Sequence, residues 1–183
     1  MFATEKWVLT MTFVEAIKSC ISNYARFSGR ASRPEYWWFA LFIFIVSSVL
    51  RIIDTALFGT DPVTQTPNGL LGPLFSLAML LPFIAVGWRR MHDTGKPGWL
   101  LLLPMLVTSA TVFFLMVGVM GFASMQNSGA YPVDMVGPAA FLGLAGMIAA
   151  AVVQVVLFVL LLWWLTRPSE AGANSYGPPP PTN

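Results

Sequence analysis

Long stretches without a charged side chain dominate the pattern of hydrophobic and polar positions along this chain. Charge-free runs cover residues 62–88, 97–133 and 135–166, which are 27, 37 and 32 residues long. A helix needs about 20 mostly apolar residues to cross the hydrocarbon core of a bilayer. Each run therefore accommodates one spanning helix and part of a connection, and clusters of Gly, Pro, Asn and Ser mark the connections. The pattern predicts spans at about 70–88, 99–120 and 139–166.

A first span, at about 36–57, carries charge near its end. Only residues 36–50 are free of charged side chains, and Arg51 and Asp54 then follow at a spacing that makes them neighbours on one helix face. Arg51 lies roughly 22 Å along a core of about 30 Å, so its long side chain can reach the far interface. Two interpretations stay open. Arg51 and Asp54 form a pair at the outer boundary, or they belong with Gln154 of the last span to a polar path through the bundle.

A shorter helix, at 12–26, precedes the spans. Thr12 and Glu15 form a capping box at its start, and apolar residues recur at helical spacing opposite a polar face. We expect this helix to lie on the cytoplasmic leaflet. The alternative is a soluble helix packed on the cytoplasmic loop.

Composition supports a membrane protein. Hydrophobic residues make up 56% of the chain and charged residues only 10%, against about 25% charged residues in soluble proteins. The predicted fold class is an all-α membrane protein, a four-transmembrane-helix bundle with an N-terminal interfacial amphipathic helix. Its predicted parts are a cytoplasmic N-terminal segment at 1–35, a membrane domain at 36–166 and a flexible, proline-rich cytoplasmic tail at 167–183.

The basic residues predict the orientation. Nine of the ten lie in the N-terminal segment, the 89–98 connection and the tail, whereas the connections at 58–69 and 121–138 have none. Because basic loops stay in the cytoplasm, both termini are predicted to be cytoplasmic. Six of the seven tryptophans fall at the predicted cytoplasmic ends, where indole rings favour the headgroup layer: Trp37, Trp38, Trp88, Trp99, Trp163 and Trp164.

Residue counts exclude several kinds of site. One cysteine, Cys20, cannot form an internal disulfide, and one histidine, His92, cannot build a His/Cys metal centre. No cofactor is therefore expected. The net charge of +2 does not indicate a nucleic-acid partner.

Two short segments, 27–38 and 88–99, carry seven of the eighteen charged side chains and should meet at one face of the membrane. Their candidate residues for binding a lipid headgroup or a partner are Arg30, Arg33, Glu35, Arg89, Arg90, His92 and Asp93. Ser32 and Glu35 have the spacing of a second capping box, which gives Glu35 a structural interpretation. The arginines either set topology only or bind an anion such as a lipid phosphate. Adjacent His92 and Asp93 could perform acid–base chemistry, although sequence neighbours rarely have the required geometry.

Three motifs occur in order between about residues 20 and 180: Phe27–Trp38, Arg89–Thr94 followed by Gly98 and Trp99, and Asn174–Pro178. Together they resemble the bacterial inner-membrane family called domain of unknown function 805. The resemblance implies a small helical protein of the bacterial inner membrane, and it implies no activity, ligand or catalytic residue. The chain departs from the family pattern at Pro34 and Met91, and by a longer stretch between the second motif and the tail.

The leading functional hypothesis is a non-catalytic membrane protein whose charged cytoplasmic face engages anionic lipid headgroups or a protein partner. The second is a subunit of an oligomeric transporter or channel for small solutes, using Arg51, Asp54 and Gln154. Homo-oligomerisation would be needed for the second, since four spans with few buried polar groups offer little room for a solute path. An enzyme acting on a lipid-linked substrate, through His92 and Asp93, is the third.

Overall fold

The computed structural model describes residues 11–127 and 136–180, and these form an all-α membrane protein. Within that part of the chain the helices are α1 Phe13–Ser22, α2 Arg33–Phe58, α3 Leu71–Asp93, a 3₁₀ turn at Gly98–Leu102, α4 Leu103–Asn127 and α5 Val136–Thr166. Four of these segments are long and apolar enough to cross a membrane, namely Arg33–Phe58, Leu71–Asp93, Gly98–Met125 and Gly143–Thr166. All four predicted spans are therefore present.

Helix α1 begins at the predicted capping box. The Thr12 hydroxyl accepts from the Glu15 amide at 3.4 Å, and the Glu15 carboxylate accepts from the Thr12 amide at 2.8 Å. The helix ends at Ser22, four residues earlier than predicted, because the Asn23 side chain donates back to the Ser19 carbonyl. Its buried face packs against α2 and α3.

Helices α2 and α3 form an antiparallel pair. Tyr36 stacks on Phe83 with ring centroids 5.7 Å apart, and Phe42 meets Phe75 edge to face at 6.2 Å. The two helices therefore run in opposite directions. The start of α2 consequently lies beside the end of α3, which brings the two charged segments together.

Helix α3 extends five residues beyond its predicted end at residue 88. Arg89, Arg90, His92 and Asp93 therefore belong to its last turns rather than to a loop. Side-chain partners described below stabilise these turns, and a sequence pattern of apolar spacing could not reveal them. The chain turns at Gly95, whose φ of +70° is unfavourable for other residues and whose missing Cβ leaves room for the Glu170 carboxylate.

The chain divides into two compact units. The first contains α1, α2, α3 and the tail from Leu165 onward, and the second contains residues 99–164. In the second unit, the apolar windows of α4 and α5 have no buried residues, as expected for helices whose surroundings are lipid.

Gly98 provides a test of the packing at the end of α3. A Cβ at this position would lie 2.1 Å from the Trp88 indole, so the ring would have to move. We expect Gly98→Ala to lower the free energy of unfolding by about 1–3 kcal/mol, as overpacking does elsewhere. Thermal unfolding in detergent would measure this loss.

Gly118→Ala is the matched control, because Gly118 lies in α4 with nothing within 4 Å of the added methyl group. Equal unfolding temperatures for the two variants would contradict the close approach of Gly98 to Trp88.

Candidate functional site

A buried group of charged side chains lies where the start of α2 meets the end of α3. We call it the arginine cluster and define it as Arg30, Glu35, Arg89, Arg90 and Asp93. Each of these residues is no more than 8% exposed. Buried charges require partners, since an isolated ion loses far more hydration energy than the protein returns.

Asp93 is the centre of the arginine cluster. Its Oδ1 accepts from Arg30 at 2.9 Å, and its Oδ2 accepts from Arg90 and from the Ser169 hydroxyl. The side chains of Asp93 and of both arginines are fully buried. The Asp93 carboxylate is therefore the shared counter-ion of two buried guanidinium groups.

The remaining donors of the two arginines bind backbone carbonyls of the tail. Arg30 donates to Glu170 and Gly172, each at 2.7 Å. Arg90 donates to Leu165 at 3.0 Å and to Arg167. The sequence predicts a flexible tail and does not anticipate these contacts.

Glu35 forms the second ion pair of the arginine cluster, with Arg89 at 3.1 Å. The Ser19 hydroxyl of α1 donates to the same Glu35 oxygen at 2.9 Å. Only half of the predicted capping box is present, since Ser32 accepts from the Glu35 amide while the Glu35 side chain turns toward Arg89. The electrostatic attraction of a nearby guanidinium replaces the bond back to the cap.

Arg89 is the incompletely satisfied member of the arginine cluster. Its Nη1 pairs with Glu35, but its Nε and Nη2 are buried without a hydrogen-bond partner among the described residues. Nε and Nη2 lie on one edge of the guanidinium, the edge that can donate two parallel hydrogen bonds to an oxyanion. An unsatisfied buried donor costs about 1–3 kcal/mol, so this edge favours an added acceptor.

His92 and Asp93 do not form an acid–base pair. The Asp93 carboxylate is occupied by two arginines, whereas His92 Nδ1 lies 3.1 Å from the Gly29 carbonyl. The imidazole stacks on the Tyr176 ring with centroids 3.9 Å apart and planes within 6°. His92 thus holds the tail against α3.

The thiol of Cys20 is buried beside Glu35, with its sulfur 3.9 Å from the Glu35 carbonyl. Burial raises the pKa of the thiol from 9.0 to about 12, and the Glu35 carboxylate adds to this increase. Cys20 is therefore protonated at neutral pH and is a poor nucleophile. Within the described ranges, no three His, Cys, Asp or Glu residues are grouped so that they could hold a metal ion.

The sequence that forms these contacts matches a known protein family. The model of a family described as "Protein of unknown function (DUF805)" matches residues 24–178, a range that includes the arginine cluster and its tail contacts. The chain belongs to this family.

Among curated relatives, the inner membrane protein YhaI of Escherichia coli K12 is 41% identical over 85 residues, which cover 46% of this chain and 66% of the relative. The inner membrane protein YhaH of the same strain is 39% identical over 83 residues, or 45% of this chain and 66% of the relative. The matches thus span slightly less than two thirds of either relative. No solved structure matches the chain significantly. This DUF805 protein is accordingly a multi-pass membrane protein with inner-membrane relatives.

Six of the seven candidate residues predicted for the charged face are brought together in the DUF805 protein. The seventh, Arg33, is exposed at the start of α2. Arg51 and Asp54 lie at the other end of the α2–α3 pair, where the Arg51–Asp54 ion pair favoured by their spacing does not form. Gln154 belongs to the second unit, where its Oε1 is buried without a partner in the described residues.

Sequence reasoning missed the partners that the tail and α1 contribute. Ser19, Ser169 and Tyr176 were not candidates, although each contacts a cluster residue or His92. The signal available in the sequence was the third motif, Asn174–Pro178. Asn174 donates to the His92 carbonyl at 3.0 Å, which explains why this motif accompanies the other two.

Neutralising Asp93 tests whether the arginine cluster stabilises the fold. Asp93→Asn would leave two buried guanidinium groups without their shared counter-ion, and we expect a loss of about 3–5 kcal/mol in the free energy of unfolding. Thermal unfolding in detergent would measure it. Glu15→Gln is the control, since it makes the same change in an exposed capping box that glutamine also satisfies. An unfolding temperature unchanged by Asp93→Asn would sink the proposed role of the carboxylate.

Alkylation tests the environment of Cys20. At pH 8 we expect iodoacetamide to modify native Cys20 at least about tenfold more slowly than an exposed thiol, because little thiolate is present. The reference thiol is the double variant Cys20→Ser, Ser22→Cys, which moves it to the exposed face of α1. Equal rates, followed by mass spectrometry, would contradict the burial of Cys20.

Proposed function

We propose that this DUF805 protein is a non-catalytic membrane protein whose arginine cluster engages the headgroup of an anionic lipid in the cytoplasmic leaflet. The observation that carries the proposal is the edge of Arg89, with two buried donors that no described residue satisfies. A phosphate oxygen pair matches this edge in both charge and geometry.

Hydrogen bonds already made by each arginine indicate which of them is available to a lipid. Arg30 and Arg90 already use their donors on Asp93 and on tail carbonyls, so they hold the site together rather than bind lipid. Arg89 lies just beneath the surface, with 6% of its side chain exposed. A headgroup that binds this edge must displace the groups that cover it, since both free donors are buried.

The surrounding charge favours an anionic ligand. Exposed Arg33 starts α2 close to Glu35, and Lys96 is half-buried in the turn after α3. The cytoplasmic surface of bacterial membranes is anionic, and each basic side chain near such a surface contributes about 1 kcal/mol of attraction. Positive charge around the arginine cluster would thus concentrate anionic lipid at Arg89.

The arrangement supports binding rather than catalysis. Asp93 and His92 have separate partners, and the thiol of Cys20 is protonated and buried. These contacts favour a structural role for Asp93, His92 and Cys20, which would otherwise be the candidate acid, base and nucleophile.

Lipid retention tests the proposal. Native mass spectrometry of the full chain released from nanodiscs containing phosphatidylglycerol should show retained anionic lipid, and Arg89→Lys should retain one molecule fewer than the wild type. Lysine keeps the positive charge beside Glu35 but cannot donate two parallel hydrogen bonds from one edge. We expect at least about a tenfold decrease in the occupancy of the lipid site at Arg89, as for the loss of a charged hydrogen bond.

Arg26→Lys is the matched control, because Arg26 is an exposed arginine just after α1. It should retain lipid as the wild type does. Retention of as many anionic lipid molecules by Arg89→Lys as by the wild type, with its unfolding temperature unchanged, would refute the role of Arg89. A protein partner that co-purifies in place of lipid would also contradict this proposal.

A second candidate function is transport of a small solute by an oligomer. The observation that favours it is the buried, unpartnered Oε1 of Gln154, since a donor from a second copy could satisfy it. Liposome flux assays of a panel of small solutes should then show transport by the wild type that Gln154→Leu reduces. Flux equal to that of protein-free liposomes, or unchanged by Gln154→Leu, would remove this candidate.

A further inference from the structure

A second polar site lies at the opposite end of the α2–α3 pair, and the proposed function does not use it. A cavity of about 430 Å³ opens between the last turns of α2 and the start of α3. Its polar lining comes from Ser47, Arg51, Asp54, Thr66 and Ser76. We call it the Arg51 cavity.

Asp54 is committed to α3 and leaves Arg51 without a counter-ion. The Asp54 carboxylate is 1% exposed and accepts from the amides of Leu71 at 3.2 Å and Gly72 at 2.8 Å. It thereby caps a helix whose own N-cap residue, Leu70, supplies no side-chain bond. Arg51 is exposed, and no carboxylate among the described residues lies within ion-pair distance of it.

The position of Arg51 along α2 indicates where its exposed side chain lies relative to the membrane. Arg51 lies eighteen positions after Arg33 at the start of α2, which corresponds to roughly 27 Å at the rise of an α-helix. This length is close to the thickness of the hydrocarbon core. The guanidinium therefore reaches the phosphate layer at the far end, where a cation without a protein counter-ion needs an anion from its surroundings.

Two hydroxyl groups in the Arg51 cavity are also unused. In the same helix, Ser48 and Thr55 donate to the carbonyls four residues earlier, at 2.8 and 2.9 Å. Such a bond is the usual way in which a hydroxyl is satisfied inside an apolar helix. Ser47 and Ser76 make no corresponding bond in the described structure, and both line the cavity.

We propose that the Arg51 cavity binds a phosphate group, with Arg51 donating two hydrogen bonds and Ser47 and Ser76 donating one each. Planar guanidinium groups and hydroxyls are common ligands of phosphate oxygens. The Asp54 carboxylate also lines the cavity and repels a doubly charged anion. The site therefore favours the singly charged phosphodiester of a lipid headgroup over inorganic phosphate.

Binding to delipidated protein in detergent tests this proposal. Native mass spectrometry would count phosphatidylglycerol molecules on the full chain, with diacylglycerol as the probe that has the same acyl chains and no phosphate. The wild type should bind phosphatidylglycerol at the cavity. The double variant Ser47→Ala, Ser76→Ala and the variant Arg51→Gln should each bind it at least about tenfold more weakly.

Ser48→Ala is the matched control for the serine variant, since the Ser48 hydroxyl is already satisfied by the Phe44 carbonyl. It should bind as the wild type does, and so should Arg26→Gln, the matched control for Arg51→Gln. Equal affinity for diacylglycerol, or binding unaffected in both cavity variants, would overturn the proposal. Because the serine variant retains every charge, it provides a result even if Arg51→Gln fails to fold.

Competition identifies the source of the phosphate group. Inorganic phosphate that does not displace phosphatidylglycerol supports a lipid headgroup, whereas displacement supports a free phosphate or phosphomonoester in the same cavity. Arg89→Lys separates this site from the arginine cluster, since it should leave binding at the Arg51 cavity intact. The experiments can therefore refute lipid binding at Arg89 without refuting it at the Arg51 cavity, and the reverse.

Discussion

The structure of the first unit depends on one carboxylate, that of Asp93. A buried guanidinium is costly unless it is paired and fully hydrogen-bonded, and here one anion serves two of them. Because a single carboxylate cannot occupy all the donors of two arginines, the surplus donors must find neutral acceptors. Backbone carbonyls of the tail are those acceptors, so the need to satisfy Arg30 and Arg90 determines where residues 165–172 lie.

The two ends of the α2–α3 pair solve a related problem in different ways. At one end, charged side chains are buried and satisfied by one another and by the tail, with Arg89 as the exception. At the other end, Asp54 is buried as a helix cap while Arg51 remains exposed beside a cavity. In each place one arginine keeps donors that the described chain does not satisfy, and both proposals of lipid binding arise from that imbalance.

Much of this architecture could be predicted from local patterns. Charge-free runs identified the four spans, and the Thr12–Glu15 spacing identified the start of α1, because both signals involve residues close in sequence. The partners of the charged residues could not be predicted in this way. Glu35 prefers Arg89, 54 residues away, to the nearby amide that its capping-box spacing suggested. Asp54 prefers the amides of α3 to Arg51, since the N-cap residue of α3 supplies no side-chain bond and a guanidinium can reach the membrane surface instead.

Recognition of the tail through its backbone has a consequence for biogenesis. The acceptors at residues 165, 167, 170 and 172 lie at the end of α5 and beyond it, so they are synthesised long after Arg30 and Arg90. Until α5 and the tail have been made, the two arginines lack these four acceptors and have the Asp93 carboxylate as their shared partner. The tail can therefore close over Asp93 only after α5 has been made, so a chain that stops before α5 leaves donors of Arg30 and Arg90 without their native acceptors.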